Sequence, residues 1–398
     1  MTAPSRAAFV FIFITVCLDM LALGVIVPVL PSLVVELEHG DYARAASVTG
    51  VFGLAWAAMQ FIFSPVLGVL SDRYGRRPVV LLSNFGLGVD YIVMALAPNL
   101  AWLFVGRLVS GITSASFPTA TAYIADCTPP EKRAARFGML GAAFGLGFVV
   151  GPAVGGFLGN ISLRLPFWAA GVLSLANAAY GLFVLPESLP KEKRSKVSLA
   201  KANPFGSMQL LYKTPGLLVL AVSSFFYFLA HESLPSVFVL YTKYRYHWGE
   251  RTTGIALAIV GLTSAIVAAL LIERIVGWLG ERGTLLLGLA SGAAAFALFG
   301  LAPTTRLFLM AIPLDALLGL VGPAMQALMS ARIGPDAQGQ LQGALSSMRG
   351  VTGMIGPIVF TQLFARSIGG HVLGMPFLVA AACVVVSLLT VVGTRKVD

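Results

Sequence analysis

Apolar residues in this chain run in long blocks instead of alternating with polar ones, and the blocks are broken by short polar punctuation. A membrane-spanning helix needs about 20 mainly apolar residues. Twelve stretches qualify, at roughly 6–30, 47–70, 78–98, 101–125, 135–159, 164–186, 213–242, 252–275, 284–302, 306–332, 340–365 and 371–393. Only helices or closed barrels satisfy backbone polar groups in lipid, and these runs are too long and continuous for barrel strands. The pattern predicts an all-α integral membrane protein. The first span carries no small-residue cleavage pattern, and Asp19 interrupts it, so it reads as retained and not as a cleaved signal.

Composition agrees. The 398 residues are 57% hydrophobic and 11% charged, with a mean hydropathy of +0.87, against about 25% charged in soluble domains. The net charge of +10 does not point to nucleic acid, because no soluble stretch is long enough to form a basic domain. Topology explains it. With the amino terminus inside, 18 Lys and Arg fall on the cytoplasmic side and 7 outside, with Arg107 and Arg349 left within spans. Both termini are then cytoplasmic. Cys17, Cys127 and Cys383 lack metal-ligand spacing, and no disulfide is expected.

The one long basic linker divides the chain into a six-helix bundle over 1–186, a linker over 187–212 and a second six-helix bundle over 213–398. The halves echo each other. Pro118 and Pro323, Pro130 and Pro335, Gly138 and Gly343, and Gly145 and Gly350 are each 205 residues apart, as are Gly151-Pro152 and Gly356-Pro357. One offset shared by so many helix-shaping residues argues for internal duplication. A weaker echo of the polar segment Gly68–Pro78 occurs at Gly277–Gly283.

Parallel six-span repeats around a central cavity describe the major facilitator architecture, and the motifs resemble it closely. Gly68–Pro78, Gly106–Gly111 and Gly145–Gly156 resemble the loop, span-four and antiporter motifs of drug–proton exchangers in that superfamily. Leu18-Asp19, Pro28–Pro31, Val89-Asp90-Tyr91, Ala122–Asp126, Leu185–Ser188, Gly322–Gln326 and Gly339–Gly343 resemble the bacterial tetracycline–proton antiporters. The resemblance implies a latch in which Asp72 and Arg76 form a charge network with Asp126, in a turn shaped by Gly68, Arg73 and Gly75, holding the halves together on the cytoplasmic side. It implies that Gly147, Gly151, Pro152, Gly155 and Gly156 seal span five against a partner span. It also implies a monomer in a bacterial inner membrane.

Ionisable groups inside spans are costly, about 2.5–3.5 kcal/mol each on insertion scales, and are functional candidates by default. Asp19, Arg107, Glu232, Asp315 and Arg349 are candidates for proton coupling; Asp90, Tyr91, His231 and Gln326 are candidates for substrate contact. Arg107 could neutralise a neighbouring acid such as Asp19. Asp315 and Arg349 could meet as an ion pair that substrate would open. Packing ion pairs and capped carboxylates are the plain alternatives for all of these. One departure from the tetracycline exporters stands out: their span-eight histidine and span-nine aspartate correspond to Ser264 and Gly292 here.

The expectation is a secondary transporter that exports an amphipathic organic molecule in exchange for protons. The alternative is a proton-linked or facilitative carrier for a metabolite. There is no nucleotide-binding Gly-x-x-x-x-Gly-Lys-Ser/Thr loop, so no cofactor is expected. An enzyme is disfavoured, because His39, His231, His247 and His371 are scattered and form no His-Glu-x-x-His pattern.

Overall fold

The computed structural model describes residues 6–114, 116–194, 208–214, 216–370 and 372–393. Among them there is no strand. Much of the predicted linker, His371 and the cationic residues Lys196, Lys201, Arg395 and Lys396 lie outside the described residues.

Ten helical stretches are long and apolar enough to cross a membrane. One of them, Glu250–Leu301, spans 52 residues and contains a non-helical residue, Gly280 (φ 68°, ψ 174°), so it holds spans eight and nine. Gln338–Ser367, diluted by Gln338, Gln340, Gln342 and Arg349, supplies span eleven. Twelve spans result. Large apolar side chains face outward, with Phe183 84% exposed and Trp278 80% exposed, as a lipid solvent requires.

Proline and glycine decide where the helices break. Span one runs over Arg6–Ile26, turns through Pro28, and resumes as Leu30–Leu37 with Pro31 in its first turn. It therefore extends beyond the predicted end at 30, because a proline in the first turn lacks only an N–H that would be unpaired anyway. Spans four and ten were each expected to be continuous. Instead, span four is Leu100–Thr113 followed by Ser116–Cys127, and span ten is Thr305–Leu318 followed by Val321–Ser330. Pro118 and Pro323 cannot donate to the carbonyls of residues 114 and 319, and the helix lets go there. Span seven, Leu217–His231 and Ser233–Tyr246, parts at Glu232 and not at Pro235, because the ring of Pro235 removes the bond to the carbonyl four residues back, at His231.

The polar segment Gly68–Pro78, expected to be a short loop, is almost wholly helical. Span two is Tyr42–Tyr74 and span three is Arg76–Leu96, so Gly75 alone makes the turn, at φ 110°. Only glycine adopts such a conformation freely. Gly280 repeats this 205 residues later, so the weaker echo is a second copy of the same hinge.

The chain forms two compact units. One takes 1–39, 55–203 and 249–258; the other takes 40–54, 204–248 and 259–398. The two exchanged strips are themselves related by the 205-residue offset. In the first unit, a Cβ at Gly254 would sit 2.8 Å from the Cα of Gly156. In the second unit, one at Gly53 would sit 2.7 Å from Cβ of Pro357. The cores differ in kind. The first unit packs Phe9, Ile12, Val16, Tyr123, Ile124 and Leu140. The second buries an aromatic cluster, with Phe299–Phe308 centroids 4.7 Å apart and Tyr241–Phe377 centroids 5.0 Å apart, and the Tyr241 hydroxyl donates to the Phe299 carbonyl at 3.1 Å.

Candidate functional site

In the first unit, the intramembrane charges collect around span three. Asp90 and Tyr91 are each 1% exposed and Asp19 is 4% exposed. Arg107 of span four supplies the cationic field acting on Asp90 and Tyr91, and Tyr91 also lies in the field of Asp19. The acid beside Arg107 is thus Asp90. The Arg107 guanidinium also lies over the Trp56 ring, 5.4 Å from its centroid. Among the described residues, neither carboxylate oxygen of Asp90 makes a hydrogen bond of good geometry, and the buried Ser110 hydroxyl is the neighbouring donor that acts on it. The span-four motif builds this arrangement with its glycines. A Cβ on Gly106 would sit 2.7 Å from an Asp90 carboxylate oxygen, and one on Gly111 would sit 2.6 Å from the Trp56 carbonyl.

Span five, Pro130–Gly159, closes on span one beside Asp19. A Cβ at Gly147 would meet Met20 at 2.6 Å, one at Gly151 would meet the Gly24 Cα at 2.6 Å, and one at Gly155 would run into the Val25 backbone. Gly156 points elsewhere, onto Gly254, while Gly145 has open space. The antiporter-type glycines therefore form two contact faces and not the single flat one expected, and Gly145 belongs to neither. At about 3.6 residues per turn, the four-residue spacing of 147, 151 and 155 shifts each by only about 40° and keeps them on one side, and 156 falls about 100° from 155.

At the Gly75 hinge, Arg76 bridges two acids. Its Nε donates to Asp126 at 3.0 Å, and its Nη1 pairs with Asp72 and donates to the Ser71 hydroxyl at 2.6 Å. Glu187, just after span six, completes the cluster. Its carboxylate accepts the Arg76 backbone N–H at 2.9 Å and those of Ser188 and Leu189 at 3.0 Å. Arg194 approaches it at 3.8 Å. Every partner named lies in the first unit. The network is therefore internal to that unit, and these contacts do not fasten the halves to each other. Arg73, expected within it, stacks on Tyr74 at 5.2 Å instead, and Gly68 contributes its carbonyl to the Ser71 hydroxyl. Sequence reasoning missed Glu187 as a participant, although Leu185–Ser188 carried the family pattern; its place directly after a span end was the available signal.

In the second unit, the expected Asp315–Arg349 ion pair is not made among the described residues. Asp315 is buried at 9% exposure, while Arg349 is exposed and lies over the Phe228 ring, 4.8 Å from its centroid. Both act electrostatically on the buried Tyr227. His231, exposed at the break in span seven, stands with its ring 6.2 Å from that of Tyr227 and in the field of Arg349. Half-buried Glu232 packs its side-chain carbons on Gly356 of span eleven, as Gly24 packs on Gly151 in the first unit. Gln326, exposed, joins Tyr227, Phe228 and Arg349 around a small cavity. Ser264 is exposed, and Gly292 is buried hard against Leu318, leaving no room for a side chain.

Comparison with known proteins agrees with this architecture. A model of the Major Facilitator Superfamily matches residues 12–357. The tetracycline resistance protein, class C, of Escherichia coli is 38% identical over 387 residues, covering 96% of each chain. The class G protein of Vibrio anguillarum is 37% identical over 364 residues, covering 92% of each. Among solved structures, the human organic anion transporter MFSD10 (TETRAN) shares the fold, with a TM-score of 0.72 at 23% identity, over 97% of this chain and 99% of that one. Twelve spans in duplicated sixes, the Gly75 hinge and relatives matching end to end place this chain in the major facilitator superfamily, among the tetracycline resistance proteins: it is a multi-pass membrane transporter, not an enzyme.

Proposed function

We propose that the protein exports a small amphipathic organic compound of tetracycline type across a bacterial inner membrane in exchange for protons. It works by alternating access of two six-helix bundles, 1–186 and 213–398, with both termini cytoplasmic. The observation that carries this reading is the buried carboxyl cluster of the first unit, Asp19 and Asp90 around Tyr91 with Arg107 beside it, in a chain whose relatives bear the name tetracycline resistance protein from end to end. A carboxyl group can carry one proton and then exchange it for cargo. A membrane potential supplies about 2.3 kcal/mol per charge per 100 mV, and a pH unit about 1.4 kcal/mol, so one proton supports a gradient of roughly 10²-fold or more.

In this reading Asp19 and Asp90 bind protons or substrate in the first unit. Asp315 and Glu232 take over in the second from the positions now held by Ser264 and Gly292. The Arg76 network steadies the first unit through the cycle, and the protein acts as a monomer. The test is tetracycline uptake by inverted vesicles under an imposed pH gradient, comparing wild type with Asp19→Asn. Tetracycline should move uphill and dissipate the gradient in the wild type, and the variant should lose uphill transport. A wild type that moves no tetracycline and consumes no gradient would overturn the proposal.

A further inference from the structure

We propose that the second unit holds a receptor for a paired-oxygen anion, an enolate or carboxylate edge, centred on Arg349; it rests on the export reading only in assigning that edge to the cargo. The warrant is geometric. Arg349 sits within the apolar helix Gln338–Ser367, where a lone cation is costly. Yet it makes no ion pair among the described residues, and its Cζ lies over the Phe228 ring, 4.8 Å from the centroid. A guanidinium set against an aromatic ring and without an ion pair keeps N–H groups free to grip two oxygens at once. Two neutral groups line the same cavity: the Tyr227 hydroxyl and the Gln326 amide, neither of which bonds to a described protein group.

The cavity takes one oxygen and no more, so the second oxygen of the pair would meet the exposed side of Arg349. Its free volume is about 10 Å³, room for about one water molecule. Gly322 borders it, and a Cβ there would stand in ordinary contact with the Tyr227 hydroxyl oxygen, at 3.8 Å. Asp315 does not cancel the cation. It is buried, it is not among the residues lining the cavity, and it makes no ion pair among the described residues, so the cavity presents donors and positive charge. The exposed His231 ring stands 6.2 Å from that of Tyr227. A planar oxygen pair would bridge the guanidinium edge and accept from Tyr227 or Gln326.

The experiment labels the full chain in membranes with phenylglyoxal, which attacks arginine, and reads Arg349 by peptide mass spectrometry. Tropolone serves as a planar oxyanion probe, tetracycline runs in parallel, and ethidium is the cationic control. Tropolone should slow labelling of Arg349 about fivefold or more, and ethidium should not; equal labelling with and without tropolone overturns the receptor. Tetracycline uptake separates the two claims. Wild-type uptake with an unchanged KM in Arg349→Gln would sink the receptor and leave export standing. Tropolone protection without wild-type uptake would keep the receptor and overturn tetracycline export. Arg349→Lys preserves the charge but not the fork, and should raise the KM about tenfold while leaving the fold intact; an unchanged KM in that variant also counts against the receptor.

Discussion

The two units share a backbone plan but handle their arginines in opposite ways. In the first, Arg107 lies beside a buried acid, Asp90, and over Trp56. In the second, Arg349 lies over Phe228, and the buried acid of the same unit, Asp315, stands apart from it. Duplication has kept the hinges at Gly75 and Gly280 and the breaks before Pro118 and Pro323. It has not kept the charge pairing. Backbone geometry is held by residues that few substitutions can replace, whereas a side-chain charge can be reassigned one position at a time.

The sharpest way to break this comparison is to remove each arginine. Arg107→Gln takes away the cation whose field acts on the buried Asp90 carboxyl, with which it makes no ion pair among the described residues, at a cost of about 1–3 kcal/mol. Arg349→Gln removes only a stacking contact, worth about 0.5–1 kcal/mol at an exposed site. Thermal unfolding in detergent should therefore separate the two variants widely, and adding Asp90→Asn to Arg107→Gln should restore most of the loss. Equal destabilisation by the two single substitutions would mean that the units treat their arginines alike.

Next in size is the glycine packing that sets Asp19 in place. Gly155→Val drives a side chain into the Val25 backbone, which has nowhere to yield, and overpacking of that kind costs about 1–3 kcal/mol. Gly145→Val enters open space and should fold and transport like the wild type. Yield of folded protein and vesicle uptake check both; a tolerant Gly155 would mean that spans one and five are not locked at Asp19.

These contrasts mark how far the sequence could be read. Helix count, class and duplication were legible, because runs of about 20 apolar residues and a repeated spacing of proline and glycine survive uncertainty in any one boundary. The breaks before Pro118 and Pro323 were not read from the sequence, although proline chemistry accounts for them. What could not be read was which side chains meet. Each residue step turns a helix by about 100°, so placing Asp315 and Arg349 in neighbouring spans says little about whether they face each other, and they do not pair. The same limit split Gly156 from Gly155. Glu187 was missed for a different reason: its hydrogen bonds are to the backbone N–H groups of Arg76, Ser188 and Leu189, so only its place directly after a span end marked it.

The smallest predicted difference lies at the two hinges. Arg77 and Arg282, 205 residues apart, each reach a backbone carbonyl near the end of a following span, at Leu182 and at Val391. Around this common anchor the Asp72–Arg76–Asp126 network of the first hinge is not repeated residue for residue, because Arg76 is answered by Glu281, Asp72 by Gly277 and Asp126 by Ala331 in the second copy. Arg76 is largely shielded, at 11% side-chain exposure, but Asp72 is 47% exposed, so water screens part of the pairing. Arg76→Gln should cost about 1–2 kcal/mol, near the lower end for hydrogen bonds to charged groups, and Glu281→Gln should stay within about 0.5 kcal/mol. Arg77→Gln and Arg282→Gln should resemble each other. Thermal shifts of the four variants test this in one series. A large loss from Glu281→Gln would show that the second hinge has a charge partner of its own and that the asymmetry between the units stops at the membrane interior.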